Sequence, residues 1–328
     1  MTRFLGAEVL DGRLNDSIAL QAMEQAFELE AKNGTTLPDR VDAPSTQGFL
    51  RVMPGVLDDV MGLKVMTLAE GLGTRYLVLL YAVETGELLA IFDADEMTRF
   101  RTAATTALAG RLLVPVPPRR LGLVGSGFEA VGQLRALAAL WPLEEVQVYS
   151  PTRENREHFA AKMTKELGFP VRPVESHQDA TADQQVVVLA TKSDSPVVHA
   201  DTIPPACVVL SIGSTRRDLR ELDRGSFARA GTVVGDSPDQ LQVESGDVAD
   251  AVAAGVLDQA RFLSLAALCT NQARPAVDDD HDLIVFKSVG TALQDLAIAR
   301  AAYRDAVARN YGDDLGELSR LKPFAPGN

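Results

Sequence analysis

The chain has 328 residues, a length that can bury a large core and suggests two domains. Hydrophobic residues make up 46% and charged residues 23%, which is ordinary for a soluble globular protein. The net charge is −13 and there is no long basic run, so nucleic acid is not an expected partner. No apolar run reaches membrane-spanning length and the N-terminus lacks a signal-peptide core, so we expect a cytoplasmic protein without a membrane partner.

The two cysteines, Cys207 and Cys269, lie in apolar segments and do not have the spacing of metal ligands. They predict buried thiols in a reducing compartment, and the sequence predicts no metal site.

The first third of the chain predicts a helix followed by a mostly antiparallel sheet. Apolar residues recur at helical spacing from Ala19 to Phe27, and Asn33-Gly34 ends that helix. Asp95 is expected to cap a long helix over 96–113, after which Pro115 begins a proline-rich boundary. Between the two helices, β-like runs occur at 49–53, 62–66, 76–81 and 88–92.

Beyond the boundary the pattern alternates between strands and helices, which predicts a parallel, doubly wound sheet. A late strand at 283–287 precedes a long Ala-rich helix over 290–311. The fold class is therefore α/β, with a Rossmann-type sheet. Its other strands are expected at 120–124, 145–149, 171–174, 185–190, 206–212 and 231–235.

The stretch LGLVGSGFEA, residues 121–130, joins a strand to a helix through Gly125, Ser126 and Gly127. Glycines allow a tight turn and let a ligand approach the backbone, while free N–H groups at the helix start, around Phe128 and Glu129, can hold a pyrophosphate. A purely structural turn is the alternative, but the strand–turn–helix–strand setting favours a dinucleotide site.

Several motifs together resemble the ornithine cyclodeaminase/mu-crystallin family over essentially the whole chain. The matching stretches are GLKVMT (62–67), TRFRTAATTALAG (98–110), LGLVGSGFEAVGQ (121–133), ATKSDSPVV (190–198), SIGSTRRDLREL (211–222), ESGDV (244–248) and VFKSVGTALQDLAIA (285–299).

The resemblance implies a homodimer whose discontinuous α/β domain binds substrate and partner. That domain would comprise 1–115 and 292–328, with a Rossmann dinucleotide-binding domain at 116–291 between the two pieces. Family members bind NAD or NADP and transfer hydride at the nitrogen-bearing carbon of 2-amino or 2-imino acids.

Lys64 lies in an apolar strand, an expensive place for an ammonium group unless it is functional. Its match to the family's GxK motif implies contact with the substrate carboxylate or imine and proton donation; a snorkelling strand lysine is the alternative. Arg101 is expected to bind the α-carboxylate through its fork of donors, or else to form a helix-surface salt bridge. Arg40 resembles the family's second carboxylate-binding arginine.

Two positions depart from the ornithine-using enzymes. Arg51 stands where those enzymes carry an acidic residue, and it would favour an acidic or neutral substrate if it points into the site; an outward-facing strand residue is equally open. Arg75 has less support as a member of the same pocket. Thr215 replaces a catalytic Asp, and a hydroxyl cannot act as a base near neutral pH.

Cofactor preference depends on the end of the second Rossmann strand. No acidic residue there can accept from the adenosine ribose, whereas Ser150, Thr152 and Arg153 could contact a 2′-phosphate, so NADP is preferred to NAD. The resemblance implies further cofactor contacts from Thr102, Thr191, Gly213, Ser288 and Gly290. Asp295 is interpreted as either structural or an anchor of the site, while Glu221 and Asp223 are interpreted as structural.

The first functional hypothesis is an NAD(P)-dependent reductase of an α-imino acid, or the reverse amino-acid dehydrogenase. Arg51 makes a dicarboxylate such as iminosuccinate one candidate substrate. Ornithine cyclodeaminase is a second hypothesis, disfavoured by Thr215 and Arg51. A non-catalytic, cofactor-loaded binding protein of the mu-crystallin kind is the third.

Overall fold

The computed structural model describes residues 1–278, 281–318 and 321–322. Its strands are β1 (Arg3–Leu5), β2 (Thr35–Thr36), β3 (Val41–Ser45), β4 (Gly48–Leu57), β5 (Val60–Ala69), β6 (Gly73–Ala82), β7 (Leu88–Asp93), β8 (Arg120–Val124), β9 (Glu145–Tyr149), β10 (Val171–Pro173), β11 (Val186–Leu189), β12 (Val208–Ser211), β13 (Ala230–Gly235), β14 (Phe262–Ser264), β15 (Leu283–Lys287) and β16 (Asp313–Asp314).

The helices are α1 (Ala7–Leu10), α2 (Asp16–Ala31), α3 (Asp95–Leu113), α4 (Phe128–Leu140), α5 (Arg153–Leu167), α6 (His177–Thr181), α7 (Arg224–Arg229), α8 (Pro238–Glu244), α9 (Gly246–Ala253), α10 (Leu265–Cys269) and α11 (Ala292–Arg309). Short 3-10 turns occur at Ala200–Thr202 and Gln259–Arg261.

The first sheet runs in the order β16-β1-β7-β6-β5-β4-β2, with β3 also paired to β4. The long strands β4, β5, β6 and β7 pair antiparallel, as the runs of β-like sequence predict. The short β1 is the exception, since it lies parallel to β7. The sequence pattern did not predict β1, β2 or β3.

Helix α11, from the far end of the chain, packs on one face of this sheet across β4, β5 and β6. The approach is close at Gly62, where an added Cβ would lie 2.8 Å from a side-chain carbon of Leu296 and 2.2 Å from the carbonyl oxygen of Leu79. Because side chains alternate along a strand, Lys64 faces the same helix while Leu63 and Val65 point the other way.

The second sheet has eight strands in the order β10-β9-β8-β11-β12-β15-β13-β14, all in parallel pairs. This doubly wound arrangement confirms the α/β, Rossmann-type fold class. The strands of this sheet that the sequence predicted fall within two residues of the predicted bounds, and β14 was not predicted. The carboxyl ends of β8, β11, β12, β13 and β15 meet at one edge, where open α/β sheets bind their ligands.

Helix α3 begins one residue earlier than predicted, and Asp95 is its first residue rather than its cap. The N-cap is Ala94, whose side chain cannot accept a hydrogen bond, and the N–H of Asp95 instead donates to Asp93 Oδ1 at 3.4 Å. A carboxylate two residues upstream therefore takes the role that the sequence assigned to Asp95. By contrast, Asn15 caps α2 by accepting from the N–H of Ile18.

In the part of the chain that the structure describes, no helix is both long and apolar enough to cross a membrane. None of the His, Cys, Asp and Glu side chains in this described part form a group of three or more that could hold a metal ion. The division into domains at 1–115, 116–291 and 292–328 stays a prediction, and residues 323–328 lie outside the described ranges.

Candidate functional site

Lys64 lies in the middle of β5 with only 2% of its surface exposed. Its Nζ donates to Thr98 Oγ1 at 2.7 Å and to Asp295 Oδ1 at 2.9 Å. The same ammonium group lies 4.7 Å from the ring centre of Tyr76, a distance suited to a cation–π contact. The side chain is therefore held on three sides by β6, α3 and α11, and it is not a lysine that snorkels to a sheet rim.

Burial lowers the pKa of Lys64 to about 8, and the Asp295 carboxylate only partly offsets this effect. Desolvation penalises the charged ammonium form, whereas a neighbouring carboxylate favours it. A lysine with a pKa near 8 is protonated at neutral pH and can still release its proton readily. Lys64 is thus suited to general acid chemistry.

Arg101 lies on α3 and shares the carboxylate of Asp295 with Lys64. Its Nε donates to Asp295 Oδ1 at 3.1 Å, and its Nη1 donates to Gln294 Oε1 at 3.0 Å. In the described part of the chain, Arg101 Nη2 has no hydrogen-bond partner, and neither does the buried Asp295 Oδ2. One oxygen of Asp295 therefore pairs with two buried cations, Lys64 and Arg101.

Gly290 brings Arg40 and Arg101 together. Its carbonyl oxygen accepts from Arg40 Nη2 at 2.6 Å, while an added Cβ would lie 2.3 Å from Arg101 Nη1. The residue has φ +73°, a conformation that favours glycine. Gly290 thus lies between the two guanidinium groups that were predicted to bind the substrate carboxylate.

Arg40 is further held by Glu244, whose Oε1 lies 2.7 Å from Arg40 Nε. Burial raises the pKa of Glu244 to about 7, although Arg40 favours its charged form. Burial also lowers the pKa of Arg40. The pair leaves Arg40 Nη1 without a partner among the described residues, so one edge of the guanidinium can bind a ligand.

Arg51 and Thr215 line the same cavity, whose volume is about 540 Å³. Arg51 does not present a free charge, because its Nε and Nη2 each donate to Asp42 at 2.7 Å. Glu244, Arg216 and Arg217 line the cavity as well. The structure therefore places the two positions that depart from the ornithine-using enzymes on the wall of one cavity, which the Lys64–Asp295–Arg101 cluster does not line. Arg75, opposite Thr67 in the sheet, is exposed.

The glycine turn fits a dinucleotide. Gly125 has φ +118°, and an added Cβ would lie 2.4 Å from the carbonyl oxygen of Ala190, so only glycine fits there. Gly127 caps α4 with extended backbone, and an added Cβ would meet nothing within 4 Å. This open space at the N-terminus of a 13-residue helix is a suitable cradle for a pyrophosphate.

The end of β9 carries the residues predicted to read the adenosine ribose. Ser150 Oγ accepts from Ser126 Oγ at 2.8 Å, which links this strand end to the glycine turn. Arg153 is exposed and paired with Glu157 at 2.7 Å, and Thr152 caps α5 without a side-chain hydrogen bond. Arg156, which the sequence did not single out, donates to the carbonyl oxygen of Ser150.

Glu221 connects two of the predicted cofactor contacts. One oxygen accepts from the N–H and Oγ1 of Thr191, and the other accepts from the N–H of Gly213 and from Ser211 Oγ. The fully buried Lys287 lies 3.9 Å from this carboxylate. Glu221 therefore ties the loops that follow β11 and β12, in agreement with the structural role that was predicted for it.

The remaining predicted cofactor residues lie around the carboxyl edge of the second sheet. Thr102 Oγ1 donates to the carbonyl oxygen of Thr98, and Ser288 Oγ donates to Asp236 Oδ2. Phe128 is half-exposed under the guanidinium of Arg99. Burial raises the pKa of Glu129, with Arg101 and Lys64 acting in the opposite direction.

Sequence reasoning missed Asp236, Gln294 and Glu244. A signal existed for Asp236, because it directly follows β13 at the carboxyl edge of the sheet. Glu244 stands first in the matched ESGDV stretch, but nothing in the sequence indicated that it pairs with Arg40. Gln294 directly precedes Asp295, and only the contact with Arg101 distinguishes it.

Comparison with known proteins finds similarity over most of the chain. The model of the ornithine cyclodeaminase/mu-crystallin family matches residues 4–310. The structure of Thermococcus litoralis Δ1-pyrroline-2-carboxylate reductase with NADH and L-proline superimposes with a TM-score of 0.89 at 28% identity, covering 95% of this chain and 100% of that one.

Two further solved structures are similar. An archaeal alanine dehydrogenase dimer with bound NAD has a TM-score of 0.88 at 27% identity, covering 98% of this chain and 99% of that one. The iminosuccinate reductase of Paracoccus denitrificans with NAD⁺ has a TM-score of 0.87 at 25% identity, covering 94% of this chain and 97% of that one.

Proposed function

This chain belongs to the ornithine cyclodeaminase/mu-crystallin family, and we propose that it is an NAD(P)-dependent oxidoreductase of α-imino acids. It reduces an imino acid to the amino acid or catalyses the reverse dehydrogenation. The observation that carries this proposal is the buried cluster of Lys64, Asp295 and Arg101, whose two cations act on Glu129 just after the glycine turn. The similar structures bind NAD or NADH, and their names describe reductases and a dehydrogenase of small imino and amino acids.

The substrate carboxylate is bound between the two arginines. Arg101 Nη2 and Arg40 Nη1 are donors without partners in the described structure, and both guanidinium groups flank Gly290. A carboxylate there accepts a charge-assisted hydrogen bond from each side. Asp295, Gln294 and Glu244 keep the guanidinium groups in place before the substrate arrives, so little order is lost on binding.

When bound at the Gly125–Gly127 turn, the nicotinamide cofactor supplies or accepts the hydride. The chain's own contribution at the reacting nitrogen is the proton of Lys64. Its ammonium is held in orientation by Thr98 and Asp295, and its pKa of about 8 lets it give a proton to the substrate nitrogen near neutral pH. The hydroxyl of Thr215 does not act as a base under these conditions.

The substrate's side chain extends towards the cavity lined by Arg51 and Thr215. Asp42 neutralises much of the Arg51 charge, so this pocket suits a neutral or acidic side chain better than a basic one. Iminosuccinate remains a candidate because Arg217 adds positive charge to the same wall, whereas Arg216 is paired with Asp218. The missing carboxylate at position 215 speaks against ornithine cyclodeamination.

For the cofactor we propose NADP with a slight preference over NAD. Ser150, Thr152 and Arg153 stand where an acidic residue would otherwise accept from the ribose hydroxyls. Arg153 is exposed and can exchange Glu157 for a phosphate at little cost, because surface ion pairs contribute little. Arg156 stabilises the same loop through the carbonyl oxygen of Ser150.

We further propose that the protein acts as a homodimer in the cytoplasm. The face of the first sheet that points away from α11 carries Leu63, Val65, Leu79 and Ile91, all half-buried and apolar. An apolar sheet face of this kind is typical of a subunit interface, and the similar archaeal alanine dehydrogenase is a dimer. Two free thiols suit a reducing compartment.

The test is a single screen of purified protein. Oxidation of NADH and NADPH is measured against a panel of 2-keto acids, each with ammonia or methylamine, together with cyclic imino acids. We expect turnover of at least one imino acid. Proline and ammonia formed from ornithine with catalytic cofactor would instead support a cyclodeaminase, and no oxidation with any substrate would support a non-catalytic binding protein.

A further inference from the structure

Asp236 is a fully enclosed carboxylate that lies at the carboxyl end of β13, with 1% of its surface exposed. Its Oδ2 accepts from Ser288 Oγ at 2.6 Å, from the N–H of Gly290 at 2.9 Å and from Gln294 Nε2 at 2.8 Å. Its Oδ1 accepts from the N–H groups of Ser237 and Val289. An ionised carboxylate is the group best able to accept so many donors at once.

Two separate routes lead from this carboxylate to the two arginines. The first passes through Gly290, whose N–H is held by Asp236 and whose carbonyl oxygen receives Arg40 Nη2 at 2.6 Å. The second passes through Gln294, whose Nε2 is held by Asp236 and whose Oε1 receives Arg101 Nη1 at 3.0 Å. Neither route involves a direct contact between Asp236 and a guanidinium group.

The second route also fixes the orientation of the Gln294 side-chain amide. Because an ionised Asp236 can only accept, Gln294 must turn its NH₂ group towards it and its carbonyl oxygen towards Arg101. The opposite orientation would set an NH₂ group against a guanidinium donor. Asp236 therefore determines that Arg101 meets an acceptor, although the two side chains do not touch.

We propose that Asp236 is a positioning residue that orients Arg40 and Arg101 together for binding of the substrate carboxylate. This inference rests on the proposed function, since it assigns to the arginines the α-carboxylate of an imino acid. It predicts that Asp236 affects recognition of the carboxylate rather than the chemical step or the affinity for the dinucleotide.

The test is Asp236→Asn in the full-length protein. An amide offers one acceptor instead of two, so it can no longer hold Gly290 and Gln294 in the same arrangement. We expect the KM for the imino acid to rise about tenfold, the scale of one lost hydrogen bond to a charged group, with kcat changed less than about threefold. The Kd of NADH and NADPH, measured by fluorescence titration, should also change less than about threefold.

Two further variants separate the routes from a general structural effect. Gln294→Met removes only the hydrogen bonds that link Asp236 to Arg101. It should therefore raise the KM for the imino acid, but less than Asp236→Asn does. Asp223→Asn is the matched control, because Asp223 also accepts from several donors, Ala200, Ser226 N–H and Ser226 Oγ, but contacts neither arginine. We expect its KM for the imino acid to match that of the wild type.

An unchanged KM in Asp236→Asn would overturn the inference, and so would a KM and a dinucleotide Kd that rise in parallel. If Asp236→Asn does not fold, Gln294→Met decides alone: a raised KM at constant dinucleotide Kd supports the inference and an unchanged KM overturns it. Wild-type protein that turns over no imino acid would overturn the proposed function together with this inference, so the two failures are distinguishable.

Discussion

Lys64 Nζ and Asp295 Oδ1 lie 2.9 Å apart, and they join the middle of β5 to the first turn of α11 across 231 residues of sequence. The same oxygen receives Arg101 Nε at 3.1 Å. One carboxylate thus compensates two buried cations, while its second oxygen has no hydrogen-bond partner in the described structure. Because an uncompensated buried charge is costly, this arrangement links the reactive lysine to the placement of the C-terminal helix.

Replacing Lys64 with methionine should abolish turnover without unfolding the protein. Methionine has a similar length and is apolar, and Asp295 keeps Arg101 as a partner, so no buried carboxylate is left unpaired. We expect kcat for imino acid reduction to fall at least about 100-fold, the range attributed to general acid catalysis. Steady-state kinetics measures the loss, and titration with NADPH checks that cofactor binding is intact. A fully active Lys64→Met enzyme would remove Lys64 from the mechanism.

Replacing Asp295 with asparagine should shift the pH dependence of the reaction. Asp295 raises the pKa of Lys64 against the larger lowering by burial, so removing its charge lowers that pKa further below about 8. If protonated Lys64 is required, the high-pH limb of kcat/KM moves to lower pH in Asp295→Asn. The control is Thr98→Val, which removes a neutral partner of Lys64 and should shift the limb less. Superimposable profiles in wild type and Asp295→Asn would contradict the coupling.

The sequence predicted the components of this cluster better than their connections. Lys64 was recognisable because an ammonium group interrupts an apolar strand, and Arg101 because it precedes small residues on a long helix. Their common partner could not be derived from spacing, since Asp295 reaches them only when α11 packs on the sheet. The alternation of strands and helices predicted the parallel sheet because its pattern is local and repeated.

The surroundings of Arg51 show why side-chain contacts in the site could not be predicted from the sequence. Whether this side chain carries a free charge depends on Asp42, which stands opposite it in the register of β3 and β4. Strand β3 reads VDAPS and is exposed throughout, so no hydrophobic alternation marked it as a strand. The pairing that neutralises Arg51 was therefore not visible in the sequence, and the role of Arg51 as a departure from the ornithine-using enzymes stays a prediction.

The Arg51–Asp42 pair gives a test of substrate choice with matched variants. Arg51→Glu places negative charge in the cavity and should lower kcat/KM for dicarboxylic imino acids about tenfold relative to monocarboxylic ones. Asp42→Asn frees the Arg51 charge and should move the same ratio in the opposite direction. Competition assays with the two substrate classes measure the ratio. A ranking that stays constant in both variants would show that Arg51 does not face the substrate's side chain.

Replacing Gly290 with alanine should weaken substrate binding through both arginines. The added Cβ would lie 2.3 Å from Arg101 Nη1, and φ +73° strains any residue with a side chain. The Arg101 guanidinium must shift away from the Cβ, and relief of the strain at positive φ would turn the carbonyl oxygen that receives Arg40 at 2.6 Å. We expect the KM for the imino acid to rise at least about tenfold. Gly255→Ala, also at positive φ but with open space around it, is the control for strain alone and should leave KM unchanged.

We expect the free energy of unfolding to depend on pH through the titration of Glu30, which lies near the end of α2. Burial raises the pKa of Glu30 to about 7, and the charge of Asp236 adds to this effect. The folded state therefore holds a proton that the unfolded state releases above the ordinary glutamate pKa of 4.5, so this contribution to stability is present below pH 4.5 and is lost as the pH rises through about 7. Glu30→Gln cannot titrate and should flatten the curve, with a gain on the order of 1–2 kcal/mol at pH 7.5 relative to pH 4.5. Denaturant unfolding at both pH values measures this difference, and Glu84→Gln, a change at an exposed turn, should follow the wild type. Parallel curves for wild type and Glu30→Gln would mean that Glu30 is already ionised in the folded protein at neutral pH.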